Sequence, residues 1–95
     1  MAAYIVFMKE REHDEKALEA YSKAVPASFA GHQPKPLAIY GKVESLEGPP
    51  LMGAVVIEFP TFEAAKAWYE SDKYQDARKH RFQGADYRAF IVEGT

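Results

Sequence analysis

A chain of 95 residues argues for one domain, 1–95, and a domain of this size buries only about two-thirds of the surface its unfolded form exposes. Hydrophobic residues at 47% and aromatics at 14% are enough for a core and exclude a disordered composition. The 12 basic and 14 acidic residues, net −2, are interspersed without blocks, which excludes the electrostatic footprint of nucleic-acid binding and a polybasic membrane patch.

Cysteine is absent, so disulfides, thiolate catalysis and cysteine-held metal are excluded. The apolar run at residues 2–8 has no positive segment before it and is followed by Lys9-Glu10-Arg11-Glu12. It is too short for a signal segment or a membrane span, and a mature cytoplasmic chain is expected.

Residues 3–9 (AYIVFMK) are short, β-branched and aromatic, and read as the first strand. Asp14 is a good N-cap, with Glu15 in the first turn of the helix that follows. Ala17, Leu18, Tyr21, Ala24, Val25, Ser28 and Phe29 recur at three- and four-residue spacing and form its apolar stripe. Pro26 removes the bond to the Ser22 carbonyl and is expected to kink or break the last turns; Gly31 fits a C-cap. Residues 37–44 (LAIYGKVE) read as the second strand, with Gly41 a bulge or close approach.

EGPP at 47–50 is a turn, and 52–59 (MGAVVIEF) is the third and most apolar strand, stopped by Pro60. Thr61 caps a helix over 62–70, with Glu63 in its first turn. Phe62, Ala65 and Trp68 or Tyr69 mark its buried stripe. Ser71 caps another over 72–82, which carries Tyr74, Ala77 and Arg81 on one side. Residues 86–93 (DYRAFIVE) form the last strand. The order predicts an α+β, ferredoxin-like βαββαβ fold: a four-stranded antiparallel sheet with helices on one face.

Such a sheet should alternate apolar and polar residues when one face meets water. Here residues 3–8, 54–57 and 89–92 are apolar throughout. A second hydrophobic face is more than a soluble monomer usually leaves open. The simplest cover is a second copy packed sheet on sheet, a dimeric α/β barrel. A homodimer through the open sheet face is therefore the expected assembly.

The run EFPTFEAAKAWYESDKYQ, preceded by VVI and followed by Arg81 and a terminal VEG, resembles the family catalogued as domain of unknown function 1330, in the dimeric α/β-barrel superfamily. The similarity covers nearly the whole chain, including the initial YIV strand, the Asp-started helix with its proline, and the GPP turn. It implies a ferredoxin-like protomer that dimerises and supplies no reaction. Related families include cofactor-free monooxygenases, haem-degrading, decarboxylase-like and isomerase-like proteins, and non-enzymes, among which fold does not choose. Members often carry Tyr-Gly-Gly before the second strand and Arg-Gly-Gly inside it. This chain has Gly31-His32-Gln33 and Tyr40-Gly41-Lys42 there, so chemistry resting on that arginine is not carried over.

Four residues are candidates for acid–base or anchoring roles: Glu58, His32, Tyr40 and Arg88. Strand parity places Glu58 opposite Ile57 and Phe59, on the dimer-facing side, where a carboxylate needs a cation such as Arg88 or Lys42. It reads as a general base or substrate anchor, or as an interface ion pair that pins register, and the second reading is preferred. His32, after a glycine in a loop, is a base near a pocket mouth or simply solvated. His13 is expected at the surface. Asp76 and His80 share a helix face as a possible relay, with no third metal ligand evident. Trp68, Tyr69 and Tyr74 line a pocket or, as their spacing favours, pack the core. Tyr4, Tyr40 and Tyr87 reach a cavity or close an interface edge.

No phosphate loop, dinucleotide fingerprint, nucleophile elbow or zinc motif is present, and MGAVVIEF lacks the basic-aromatic pattern of RNA-binding versions of the fold. No cofactor or metal is expected. Two functions remain: a homodimeric protein that binds a small molecule or acts as an interaction module, and a cofactor-independent enzyme (monooxygenase-, isomerase- or decarboxylase-like) acting on an aromatic or enolisable metabolite.

Overall fold

The computed structural model describes residues Met1–Thr95. In chain order it contains β1 (Ala3–Glu12), α1 (Glu15–Ser28), β2 (Lys35–Ile39), β3 (Gly53–Phe59), α2 (Phe62–Glu70), α3 (Asp72–Gly84) and β4 (Ala85–Glu93). The strands make one antiparallel sheet in the order β2-β3-β1-β4. This is the ferredoxin-like arrangement, its second crossover divided into α2 and α3 at Ser71. No helix is long and apolar enough to cross a membrane.

The expected caps form. Asp14 accepts from the Lys16 and Ala17 N–H groups at 3.0 and 3.3 Å, and Thr61 accepts from Ala64 N–H at 3.0 Å. Ser71 serves two helices: its N–H donates to the Trp68 carbonyl at 3.1 Å, and its hydroxyl accepts from Tyr74 N–H at 3.4 Å. Both contacts satisfy backbone groups that a helix end would otherwise leave unpaired.

Three local expectations are corrected. Pro26 does not break α1, which runs to Ser28. Only the Ser22 carbonyl loses a partner. The last turn then tightens, with Phe29 and Ala30 donating to carbonyls three residues back at 3.2 and 3.4 Å, and Gly31 leaves the helix at φ +83°. β2 begins and ends earlier than expected because Tyr40 takes a left-handed φ of +52° and turns the chain out of the sheet. Residues 40–50 are then exposed. Gly41 is neither a bulge nor a close approach, since a Cβ there would meet nothing within 4 Å. The close approach is at Gly53, where a Cβ would lie 2.9 Å from the Tyr40 ring.

Register assigns the two sheet faces. Ala3, Ile5, Phe7, Val55, Ile57 and Phe59 are buried toward the helices. With Ala65, Trp68 and Tyr74, most of them build the core cluster. Trp68 is its centre: the Tyr74 and Phe29 rings lie 4.2 and 5.2 Å from it, and Phe59 5.6 Å. Its indole N–H donates to the buried Ser28 hydroxyl at 3.0 Å. The other face carries Val6 between Val56 and Phe90, Met8 between Ala54 and Arg88, and Tyr4 between Glu58 and Val92. It is apolar in the middle, as expected, and lies bare.

Candidate functional site

α1 packs chiefly on α3, and two adjoining cavities lie between it and the sheet, the inner one over β2, β3 and β1 and the outer one toward β1 and β4. The inner cavity, about 250 Å³, is bounded by Val25, Pro26 and Phe29 from α1 and the chain just after it, and by Phe7, Ile39, Val55, Ile57 and Trp68 from the sheet and α2. The outer one, about 390 Å³, is bounded by Lys9, Glu12, Glu15, Glu19, Lys23 and Tyr87, among others. Tyr21, Ser22 and Tyr40 border both. Their shared boundary turns an apolar chamber into a cleft with a polar mouth.

Two backbone irregularities build that mouth. Residues 9 and 12 have opposite parity, and a regular strand would send them to opposite faces. A bulge between Lys9 and Arg11 in the β1–β4 pairing returns Glu12 to the side of Lys9, where the two form an ion pair. The second irregularity is Tyr40. Its left-handed backbone lays the ring over Gly53, and its hydroxyl meets that of Tyr87 at 2.6 Å. The two tyrosines thus reach toward each other across the helix side of the sheet from opposite edge strands.

Behind the mouth stands Arg81, 3% exposed. Its guanidinium carbon lies 5.0 Å from the Tyr87 ring, 5.1 Å from Phe82, 5.3 Å from Phe7 and 6.0 Å from Tyr21. Cation–π attraction offsets part of its desolvation. No carboxylate forms an ion pair with it, and its Nε–H has no acceptor. Tyr21 and Tyr74 share a hydrogen bond of 2.9 Å beside it. Burial is the main cause that pushes the Tyr21 and Tyr87 hydroxyls well above the usual tyrosine pKa and raises that of Tyr74, while the Arg81 charge pulls each down and is outweighed. These phenols stay protonated and act as donors at neutral pH.

The four candidate residues are not brought together. Tyr40 is at the cleft mouth. Glu58 is on the open sheet face, beside Tyr4 and Lys35 in register. Arg88 is on the same face but pairs with Met8, four residues along β1 from Tyr4. The protomer therefore offers Lys35, not Arg88 or Lys42, as the cation nearest Glu58 in register. His32 follows α1, its N–H donating to the Phe29 carbonyl at 2.9 Å, and lines neither cavity. His13 is exposed, with Nε2 3.0 Å from Asp86. Asp76 pairs with Lys79, not His80, and no group of three His, Asp or Glu side chains is placed to hold a metal.

The model of the family "Domain of unknown function (DUF1330)" matches residues 2–95. The chain belongs to the DUF1330 family. Among solved structures, a protein of unknown function from Rhodopseudomonas palustris is 18% identical, with a TM-score of 0.72 over 99% of this chain and 82% of its own. A dimeric protein of unknown function with a ferredoxin-like fold from Bacteroides fragilis is 11% identical, with a TM-score of 0.64 over 98% and 96%. An ethyl tert-butyl ether d (ethd) family protein from Bacillus halodurans is 14% identical, with a TM-score of 0.67 over the full length of both chains. At these identities the likeness is one of fold. Among curated proteins no match is found.

Two residues at or behind the cleft of this DUF1330 protein are not marked as functional groups by the sequence pattern. Tyr21 fits the apolar stripe of α1 by its spacing. Arg81 was placed on the buried side of α3 with Tyr74 and Ala77, where the structure puts it. A cation on the apolar stripe of a helix was the signal available, since arginine is seldom fully buried without a partner.

Proposed function

We propose that the protein is a homodimer, joined through its open sheet face, that binds a small molecule in the cleft between α1 and the sheet of each protomer. The observation that carries the binding reading is the inner cavity, about 250 Å³ and lined mainly by aliphatic and aromatic side chains, with polar groups gathered only at its mouth. Ligand sites have this distribution: an apolar chamber for affinity and a few placed polar groups for orientation. Trp68, Phe7 and Phe29 suit a flat or branched apolar body.

The dimer reading rests on the bare apolar face, where Phe90 and Val92 are each 46% exposed, and on the dimeric state of the Bacteroides fragilis neighbour. A second copy is the occupant that suits the patch, because a two-fold axis lets it cover itself. Binding is preferred to catalysis because neither Glu58 nor His32 borders the cleft, and the carboxylates that do, Glu12, Glu15 and Glu19, lie on its outer rim, exposed or paired with Lys9, with none bordering the apolar chamber where a substrate body would sit.

The test is a thermal-shift screen against a panel of aryl and alkyl metabolites, run on the wild type and on Val25→Trp, which fills the inner cavity from α1. A ligand that binds the native state raises its stability by RT ln(1 + [L]/Kd), about 2.7 kcal/mol at a hundredfold excess over Kd. The expected result is a hit that stabilises the wild type and has no effect on a folded Val25→Trp. A hit that stabilises both equally would place the site elsewhere.

A further inference from the structure

Arg81 has no carboxylate counterpart; the polar side chain against it is the neutral Tyr74 hydroxyl. A cation this deeply buried is normally matched by a carboxylate, because desolvation is costly and aromatic faces offset it only in part. Here the four ion pairs of the protomer all lie elsewhere, and the Nε–H is buried without an acceptor. The rings around the guanidinium are also the walls of the cleft. Phe7 borders the inner cavity, Tyr87 the outer one and Tyr21 both. Arg81 itself borders neither cavity; it stands behind these rings, near the seam where the apolar chamber meets the polar mouth.

Hydroxyl groups cluster around that seam. Tyr21 pairs with Tyr74 at 2.9 Å and Tyr40 with Tyr87 at 2.6 Å. Each pair uses one O–H within itself and leaves the other free to donate; Tyr40 and Tyr87 both border the cleft, and in the other pair the Tyr21 O–H is the spare one when Tyr74, which borders neither cavity, donates to it. A positive charge and two spare O–H donors beside an apolar chamber form a receptor for an oxyanion attached to a hydrophobic body.

We infer that the cleft takes a small organic monoanion, an aryl or alkyl carboxylate, whose apolar body fills the inner cavity and whose carboxylate accepts from the tyrosine hydroxyls at the seam, within the field of Arg81 behind their rings. The inference rests on the binding reading above and deepens it by naming the ligand's chemical class. The high pKa of the buried phenols agrees with it, since protonated hydroxyls donate to a carboxylate where phenolates would repel it.

The charges at the rim do not reverse the preference. Lys9 is paired with Glu12, and Glu15, Glu19 and Lys23 are exposed on α1, where water and salt screen them. The buried guanidinium acts through a medium of low dielectric, where its field is far stronger.

The test uses matched acid–amide pairs: benzoate, 2-naphthoate and octanoate, each with its uncharged amide. Binding is read from quenching of Trp68, the sole tryptophan and a wall of the inner cavity. The expected result is that at least one acid binds ten-fold or more tightly than its amide. That preference falls to within two-fold in Arg81→Met, and Tyr87→Phe weakens the acid several-fold and the amide less, since a carboxylate accepts from the hydroxyl more strongly than an amide carbonyl does. A readout that needs no variant is the Arg81 Nε–H resonance of the wild type, which moves with the acid and not with the amide. Amides that bind as tightly as acids, or a preference for the acid with a stationary Nε–H resonance, would overturn the anion and leave the cleft reading standing. A preference that survives Arg81→Met but disappears in Lys9→Met or Lys23→Met would also overturn it, by moving the charge to the rim. Failure of all six compounds to quench Trp68 at millimolar concentration would overturn both readings.

Discussion

Ser28→Ala should cost far more than the loss of one hydroxyl from a helix. The Ser28 hydroxyl donates to the Val25 carbonyl and accepts from the Trp68 indole N–H at 3.0 Å. Both residues are out of water, Ser28 at 1% exposure and Trp68 at 0%. Alanine leaves the indole N–H buried without an acceptor, and an orphaned buried donor costs about 1–3 kcal/mol. The Val25 carbonyl also loses its hydroxyl donor, while the volume removed is too small for water to enter. A total of about 2 kcal/mol is expected, equivalent to a fall in Tm of about 8–16 °C for a domain of this size. Urea unfolding followed by circular dichroism measures it. The same substitution in a Trp68→Phe background closes a double-mutant cycle. Phenylalanine has no N–H to orphan, so the penalty there should fall to about 0.5–1 kcal/mol, the ordinary value of the remaining bond to Val25. A loss below 0.5 kcal/mol in the native background, or an equal loss in both, would refute the assignment of Ser28 as the group that orients the indole in the cavity wall.

Gly84→Ala is expected to destabilise by about 1–3 kcal/mol in thermal unfolding. A Cβ there would lie 2.6 Å from Leu18 Cδ2 and 3.1 Å from the Asp14 carbonyl, where the start of α1 crosses the end of α3. Stability should also fall steeply in alkali. The unfolded chain releases its tyrosine protons above about pH 10, while burial raises Tyr21, Tyr74 and Tyr87 in the folded state so that they keep theirs. Stability is then complete below pH 10 and declines above it, by at most about 1.4 kcal/mol per pH unit for the mostly buried Tyr21, and by less for Tyr87, which is half exposed and screened by water. Tm measured from pH 8 to 11.5 tests this, and a flat profile above pH 10 would contradict it. Val6→Asp, at the centre of the open sheet face, should sediment as a folded monomer at micromolar concentrations where the wild type is a dimer. Identical sedimentation would remove that face from the interface. Glu58→Gln should alter dimer stability and leave quenching of Trp68 by ligand unchanged, because Glu58 borders neither cavity.

The order and type of the elements were legible because local chemistry decides them. Asp14, Thr61 and Ser71 offer oxygens to helix starts, and the recurrence of apolar residues separates helix from strand without reference to distant contacts. The second hydrophobic sheet face was legible too, since strand parity is a local rule and residues 3–8, 54–57 and 89–92 violate the alternation that a solvated face requires. The cleft was not legible. Its mouth depends on a bulge that reverses the parity of Glu12 and on a left-handed Tyr40, and nothing in either residue's type announces the change. Strand parity taken alone would have sent the Tyr40 side chain to the wrong face. Arg81 marks the same boundary. Its place on a buried helix stripe could be read from spacing, but that stripe says nothing of partners. Only the packing of α1 and α3 against β1 and the edge strand β4 determines that aromatic rings, and no carboxylate, surround it.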